Sequence, residues 1–296
     1  MKTHHLVIFL CLSLFLVGCF SAPRQFPDLE IVYQTGDPDI NQLGFVDADG
    51  GEPIIWNEMA YIIRPVWSLD GTRVYGTARR YQAVISGHLM YQDQGGKWVE
   101  CKQWWRNEQV ALFEDAGEPQ VLVADGKRIE LVDMDHCLTD QIWVDLGNRG
   151  SNRIIGFSYF PEKKWLLYGL ESDNLQIIKK DMATGVETLL MSGGLSPSWS
   201  PDGSQIAFVK EDGIYVMGMD GSAPRRILKR SFLIYSDFTS YPNWSSDGKW
   251  LVYHRCEQER CYPMTEYAIF KVNVASGEEQ KILQGGIFPD WRKSLP

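Results

Sequence analysis

Three groups of residues have the types and spacing that chemistry uses. Thiols and imidazole come together in HRCEQERCYP, where His254, Cys256 and Cys261 fall within one polar loop. Two thiols five positions apart staple a loop as a disulfide in an oxidising compartment, and with a neighbouring histidine they are also three of the ligands that zinc takes. That loop has no clear fourth ligand, so the expectation is a disulfide and no metal. Carboxylates come together in Asp37-Pro38-Asp39-Ile40-Asn41, which opens like a calcium loop. It lacks the glycine at the sixth position and the glutamate at the twelfth that such a loop needs. Imidazoles outside the first few residues are His88, His136 and His254, in three separate segments with no nucleophile beside them. There is no G-x-S-x-G elbow, H-E-x-x-H helix, phosphate-binding Walker loop or G-x-G-x-x-G turn. Catalytic residues and cofactors are therefore both expected to be none.

The compartment is written at the N-terminus. Met1-Lys2-Thr3-His4-His5 is followed by the apolar run Leu6 to Val17 and then by Gly18-Cys19. A short basic start, about a dozen apolar residues and a small residue before a cut site form a secretory signal. Leu16-Val17-Gly18-Cys19 resembles the bacterial lipobox, whose cysteine becomes the lipidated first residue of the mature protein. This implies a signal peptide over 1–18, lipidation at Cys19 and a tether over 19–28, with lipid as the one membrane anchor. The protein is then expected on the periplasmic side of a membrane or on the cell surface. Besides Cys11 and Cys19, four thiols remain, enough for two disulfides: Cys256 with Cys261 and, as the remainder, Cys101 with Cys137. The 296 residues carry 29 Lys and Arg against 38 Asp and Glu, a net charge of −9, which argues against a general nucleic-acid binder. At 44% hydrophobic and 23% charged, the chain has a folded protein's composition.

The elements that position these residues come from a repeat. Trp67-Ser68-Leu69-Asp70-Gly71, Trp199-Ser200-Pro201-Asp202-Gly203 and Trp244-Ser245-Ser246-Asp247-Gly248 are three copies of one motif, each followed by short apolar runs split by turns. Weaker copies are anchored on Phe113, Phe157 and Trp291, and the six aromatic anchors lie 42 to 47 residues apart. Each unit carries four runs of four to seven residues rich in Val, Ile, Tyr and Trp, the composition of strands, termed A to D below. The glycine of each Asp-Gly tolerates the positive φ of a tight A–B turn. Four strands every 40–45 residues are the mark of a propeller blade.

The ends complete the ring. Phe288-Pro289-Asp290-Trp291 reads as strand A with nothing after it, while EIVY, LGFVDADGG and PIIW near residue 30 read as B, C and D with no A. The expected fold is all-β: a six-bladed β-propeller of four-stranded antiparallel blades over 29–296, closed by pairing the C-terminal strand with the N-terminal blade. Closure removes the open edge on which other chains could aggregate.

Trp-Ser-Pro-Asp-Gly followed by an apolar strand and I-Y-V-M-x-x-D-G resembles the repeats of the TolB propeller and its relatives. The resemblance covers 29–296, strongly in the blades that begin near 64, 196 and 242; the fourth blade has Pro161-Glu162-Lys163 in place of the Asp-Gly turn. The N-terminal α/β domain of that family has no counterpart here, so the resemblance concerns fold. Related repeats form the non-catalytic propeller of prolyl-oligopeptidase-like enzymes.

Up-and-down strands put A–B and C–D turns on one face and B–C and D–A loops on the other. The longer connections, among them 34–41, 77–87, 102–109 and 229–241, are of the second kind. Loops on a rigid scaffold are where binding concentrates. They carry Arg79, Arg80, Tyr81, Trp104, Trp105, Arg106, Tyr235 and Tyr241, residue types that anchor interfaces. The expected activity is non-catalytic binding of an envelope protein or peptide by a monomer. Carbohydrate or another small ligand is the alternative. A metal-dependent hydrolase or lyase would have to use strand-A groups such as Asp290, Asn243 and Glu114.

Overall fold

Branched and aromatic side chains pack well on a pleated surface, and the runs between the turns fold accordingly. The computed structural model describes residues 29–37, 40–56, 62–79, 87–92, 97–101, 109–115, 118–134, 136–147, 152–210, 213–229, 241–256 and 266–293. Among them are six four-stranded antiparallel sheets and one short 3-10 turn, Pro161–Lys163. None of the described helices is long and apolar enough to cross a membrane. The segments read as signal and tether, with Cys19, lie outside the described residues.

Blade 2 shows the plan: strands Ile62–Trp67, Val74–Arg79, Gly87–Gln92 and Trp98–Glu100 pair in that order from the inside outward. The inner strands of blades 3 to 6 are Gln109–Asp115, Arg153–Phe160, Leu195–Trp199 and Asn243–Trp244. Blade 1 combines both ends of the chain: its inner strand Ile287–Trp291 pairs antiparallel with Ile31–Asp37, bringing Ile31 opposite Trp291 and Val32 opposite Asp290. The Arg292 N–H donates to the Glu30 carbonyl at 2.6 Å, and Arg292 Nε donates to Gly71 O at 2.7 Å, so the last described residues also grip blade 2.

The core is divided into six slabs, one in each gap between neighbouring blades. Trp67 packs with Phe45 and Trp56 of blade 1, Trp199 with Leu167 and Ile177 of blade 4, Trp244 with Val216 and Ile227 of blade 5, and Trp291 with Val252 and Ile269 of blade 6. Each of these tryptophans thus faces the preceding blade. The degenerate blades differ. Tyr159, which pairs with Leu166 as Trp199 pairs with Ile206, takes the anchor position of blade 4, and Phe157 lies two residues earlier. Tyr159 packs edge-on against Phe113 at 4.6 Å and Trp143 at 4.8 Å. Phe113 itself faces forward into the gap with blade 4, and Val110 and Leu112 fill the gap with blade 2. Aromatic character alone could not separate these two directions, because both faces of a blade are buried.

The three Asp-Gly turns are built alike. In blade 5, Ser200 Oγ donates to Asp202 Oδ1 at 2.6 Å, and the same oxygen accepts the Ser204 N–H at 3.1 Å. The Gly203 N–H closes on Ser200 O at 2.9 Å. Ser68 with Asp70 and Ser245 with Asp247 repeat the serine–aspartate bond at 2.5 and 2.6 Å. The glycines sit at φ 63°, 67° and 68°, in the left-handed region. A Cβ on Gly203 would also lie 2.3 Å from the Phe160 ring. Blade 4 makes its turn with the 3-10 segment instead, and Lys164 adopts the left-handed φ of 55°.

Two other readings are settled by the chain path. The loop read over 34–41 is a two-residue connection, because its flanking strands extend through Asp37 and from Ile40. Cys101 and Cys137 form a disulfide that ties the end of blade 2 to the C–D turn of blade 3. Cys256 is also disulfide-bonded, which removes it from any zinc site; Cys261 lies outside the described residues.

Candidate functional site

The six inner strands enclose a channel with a cavity of about 470 Å³. Its polar wall is tied into the scaffold. Asp290 Oδ2 accepts the Trp67 N–H at 2.8 Å, across the gap between blades 1 and 2. Ser158 Oγ accepts the Trp199 N–H at 3.2 Å, and Asn243 Nδ2 donates to Pro289 O at 2.9 Å. Gln109 holds both backbone groups of Phe157, accepting its N–H at 2.8 Å and donating to its carbonyl at 3.0 Å. Trp244 Nε1 donates to Ser198 O at 3.1 Å. Strand-A side chains that could have been metal ligands or acids therefore hydrogen-bond the next or the preceding strand. Glu114's side chain lies outside the described residues. No group of three or more His, Cys, Asp or Glu that could hold a metal ion occurs among the described residues.

Burial pushes the Asp290 carboxyl up to about 6, against the Trp67 N–H and the nearby Lys293 ammonium, which favour its charged form. Lys293 shifts the opposite way: burial lowers it, and Asp290 and Glu162 counteract. These groups belong to the end of the channel where the A–B turns gather, along with Leu69, Pro201 and Ser246.

The opposite end is formed by residues that enter the inner strands: Arg64, Gly156, Ser196, Tyr241 and Phe288. Four share an unusual backbone, with φ of 50° at Arg64, 78° at Gly156, 51° at Ser196 and 50° at Phe288. The Arg64 guanidinium lies over two rings, 4.6 Å from the Phe288 centroid and 5.2 Å from the Tyr241 centroid. Beneath it His254 is fully buried; its Nδ1 accepts the Phe288 N–H at 3.2 Å and its ring meets Phe288 edge-on at 5.0 Å. Burial first, and then the Arg64 charge, push His254 down to about 3, so it is neutral at physiological pH.

Of the residues singled out in the sequence, Tyr241 stands in this ring. Arg79 ends the second strand of blade 2, on the same face, with its side chain outside the described residues. Arg80, Tyr81, Trp104, Trp105, Arg106 and Tyr235 also lie outside them. Sequence reading passed over Arg64, Ser196 and Phe288. A signal was present: each lies three residues before an anchor tryptophan and is followed by a proline, as Tyr241 is.

No protein-family model matches the chain. It is 26% identical over 188 residues to the Tol-Pal system protein TolB of Alcanivorax borkumensis, a match that covers 60% of this chain and 38% of that protein. The chain thus spans well under half the length of the curated relative it matches. Among solved structures, a TolB from Agrobacterium tumefaciens superposes with a TM-score of 0.61 at 16% identity, covering 88% of this chain and 92% of that one. A chain of the nidogen/laminin complex also gives 0.61, at 15% identity and 89% and 98% coverage. An oligogalacturonate lyase in complex with manganese gives 0.50, at 14% identity and 88% and 73% coverage. At these identities the structural likeness speaks for fold. The sequence repeats and the six closed blades agree: the chain is a six-bladed β-propeller, and over part of its length it is similar to TolB.

Proposed function

We propose that this protein is a membrane-tethered, extracytoplasmic interaction module that binds another envelope protein or a peptide and performs no chemistry. The observation that carries the reading is the engagement of the channel's polar wall: Asp290, Ser158, Asn243 and Gln109 hold neighbouring strands together. Each of these four side chains is thereby committed to the scaffold across a gap between blades. The likeness to TolB, a Tol-Pal system protein, favours a protein partner. Residues 1–18 would be the signal, Cys19 the lipidated residue, 19–28 the tether and 29–296 the propeller. The partner would meet the long-loop face through Arg79, Arg80, Tyr81, Trp104, Trp105, Arg106, Tyr235 and Tyr241.

Crosslinking in intact cells of the natural host, followed by recovery through a C-terminal tag, tests this. The expected result is one dominant envelope protein that disappears in the Trp104→Ala/Trp105→Ala double variant while the melting temperature holds. Loss of stability in that variant would reassign both tryptophans to packing. A Cys19→Ala variant that still carries labelled fatty acid would overturn the anchor.

A further inference from the structure

Two polar atoms at the Arg64 end of the channel are buried without a hydrogen-bond partner among the described residues: Arg64 Nη1 and Ser196 Oγ. They come from equivalent entry positions in blades 2 and 5, which face each other across a six-membered ring. Tyr241 stands between them. A Cβ on Gly156 would lie 3.3 Å from Tyr241 Cε1 and 3.4 Å from Ser196 Cβ, so ring edge and serine adjoin, while the Arg64 guanidinium lies 5.2 Å from the same ring. All three residues line the 470 Å³ cavity.

Arg64 is half-buried, and a guanidinium nitrogen buried without a partner is costly; two aromatic faces offset only part of that cost. No carboxylate among the described residues pairs with Arg64: Asp290 is held by Trp67 and lies beside Lys293, and Asp49 pairs with Lys271 at 2.7 Å. The neighbouring imidazole, His254, adds no charge. The site therefore presents one cation with a forked donor, one hydroxyl donor and two aromatic walls. Those groups match a planar carboxylate carried on a flat or ring-shaped body.

We propose that this end of the channel is a binding site for a small organic acid, its carboxylate on Arg64 and Ser196 and its body against Tyr241 and Phe288. The site goes beyond the protein-binding role and does not depend on it. Small-ligand sites have volumes of roughly 300–1,000 Å³, and the channel as a whole, of which this end is one part, falls in that range.

Thermal melting of the full chain tests the proposal with benzoate and D-glucuronate, using benzamide and glucose as neutral counterparts. At about ten times the dissociation constant an acid should raise the melting temperature by roughly 2–4 °C, and the neutral analogues should not. Arg64→Asn removes the charge while keeping a residue that tolerates the left-handed backbone, and should weaken acid binding at least about tenfold. Ser196→Gly, also suited to its φ, should weaken it roughly three- to tenfold. The proposal fails if neither acid shifts melting at about 50 mM, a concentration that would reveal even a millimolar site. It fails equally if the neutral analogues act as strongly, or if Arg64→Asn keeps the acid response. Should Arg64→Asn not fold, an unchanged response in Ser196→Gly overturns it.

Discussion

The two ends of the channel use one scaffold differently. At the A–B turn end, residue types repeat: serine, aspartate and glycine recur in blades 2, 5 and 6 and form the same hydrogen bonds. At the other end the backbone repeats while the side chains diverge. Arg64, Gly156, Ser196 and Phe288 share one left-handed conformation yet carry a cation, no side chain, a hydroxyl and a ring. Identical chemistry at equivalent positions builds the ring; different chemistry on a shared backbone gives the other end a mixed lining of cation, hydroxyl and rings. A non-glycine residue at positive φ is strained by roughly 1–2 kcal/mol, and the scaffold sustains that strain at three of these four positions.

Substitutions can break the comparison in order of size. Trp67→Ala should cost about 3–5 kcal/mol, because it empties the gap between blades 1 and 2, and denaturant unfolding would measure it. Next, Asp70→Ala, Asp202→Ala and Asp247→Ala should each cost about 1–2 kcal/mol, since each opens an equivalent, mostly exposed turn. Widely different costs among the three would show that the turns are alike in sequence only.

Asp290→Asn addresses the channel wall through pH. Asp290's folded carboxyl is raised from 3.8 to about 6, so the folded state binds the extra proton and wild-type stability falls as pH rises between those values. The variant lacks that loss. Its melting temperature relative to wild type should rise from about pH 4 to pH 6 and level off above. His254, depressed to about 3, destabilises both proteins as pH falls below 6.5, so only the difference between them is diagnostic. A flat difference would mean that Asp290 is not buried against Trp67 as described. The smallest effect belongs to Arg64→Asn, which without ligand should move the melting temperature by no more than about 1 °C, unlike any turn variant, because it removes an unsatisfied charge together with two cation–π contacts.

Blade number, strand order and ring closure were legible because Trp-Ser-x-Asp-Gly marks a turn whose geometry only a few residues satisfy. The forward direction of Phe113 was not, because either face of a blade buries an aromatic ring, and neither was the shift of the blade 4 anchor from Phe157 to Tyr159. The channel wall was half legible. Asp290 and Asn243 stood out as polar groups on inner strands, but their engagement with Trp67 and Pro289 depends on a neighbouring blade 46 or more residues away in sequence. The repeated position of Arg64 was legible in the sequence, but its setting was not, since that joins Tyr241, Phe288 and His254 from blades 6 and 1. The disulfide at Cys101 and Cys137, reached in the sequence only as a remainder, spans two blades for the same reason.

The division between a building end and a binding end can be tested directly by placing a photo-crosslinking residue at Lys229, which leads into the long loop of blade 5, and separately at exposed Lys163 in the A–B turn of blade 4. Illumination of intact cells should give a discrete protein adduct from position 229 and none from 163. An adduct from 163 alone would place the partner on the turn end and contradict the account.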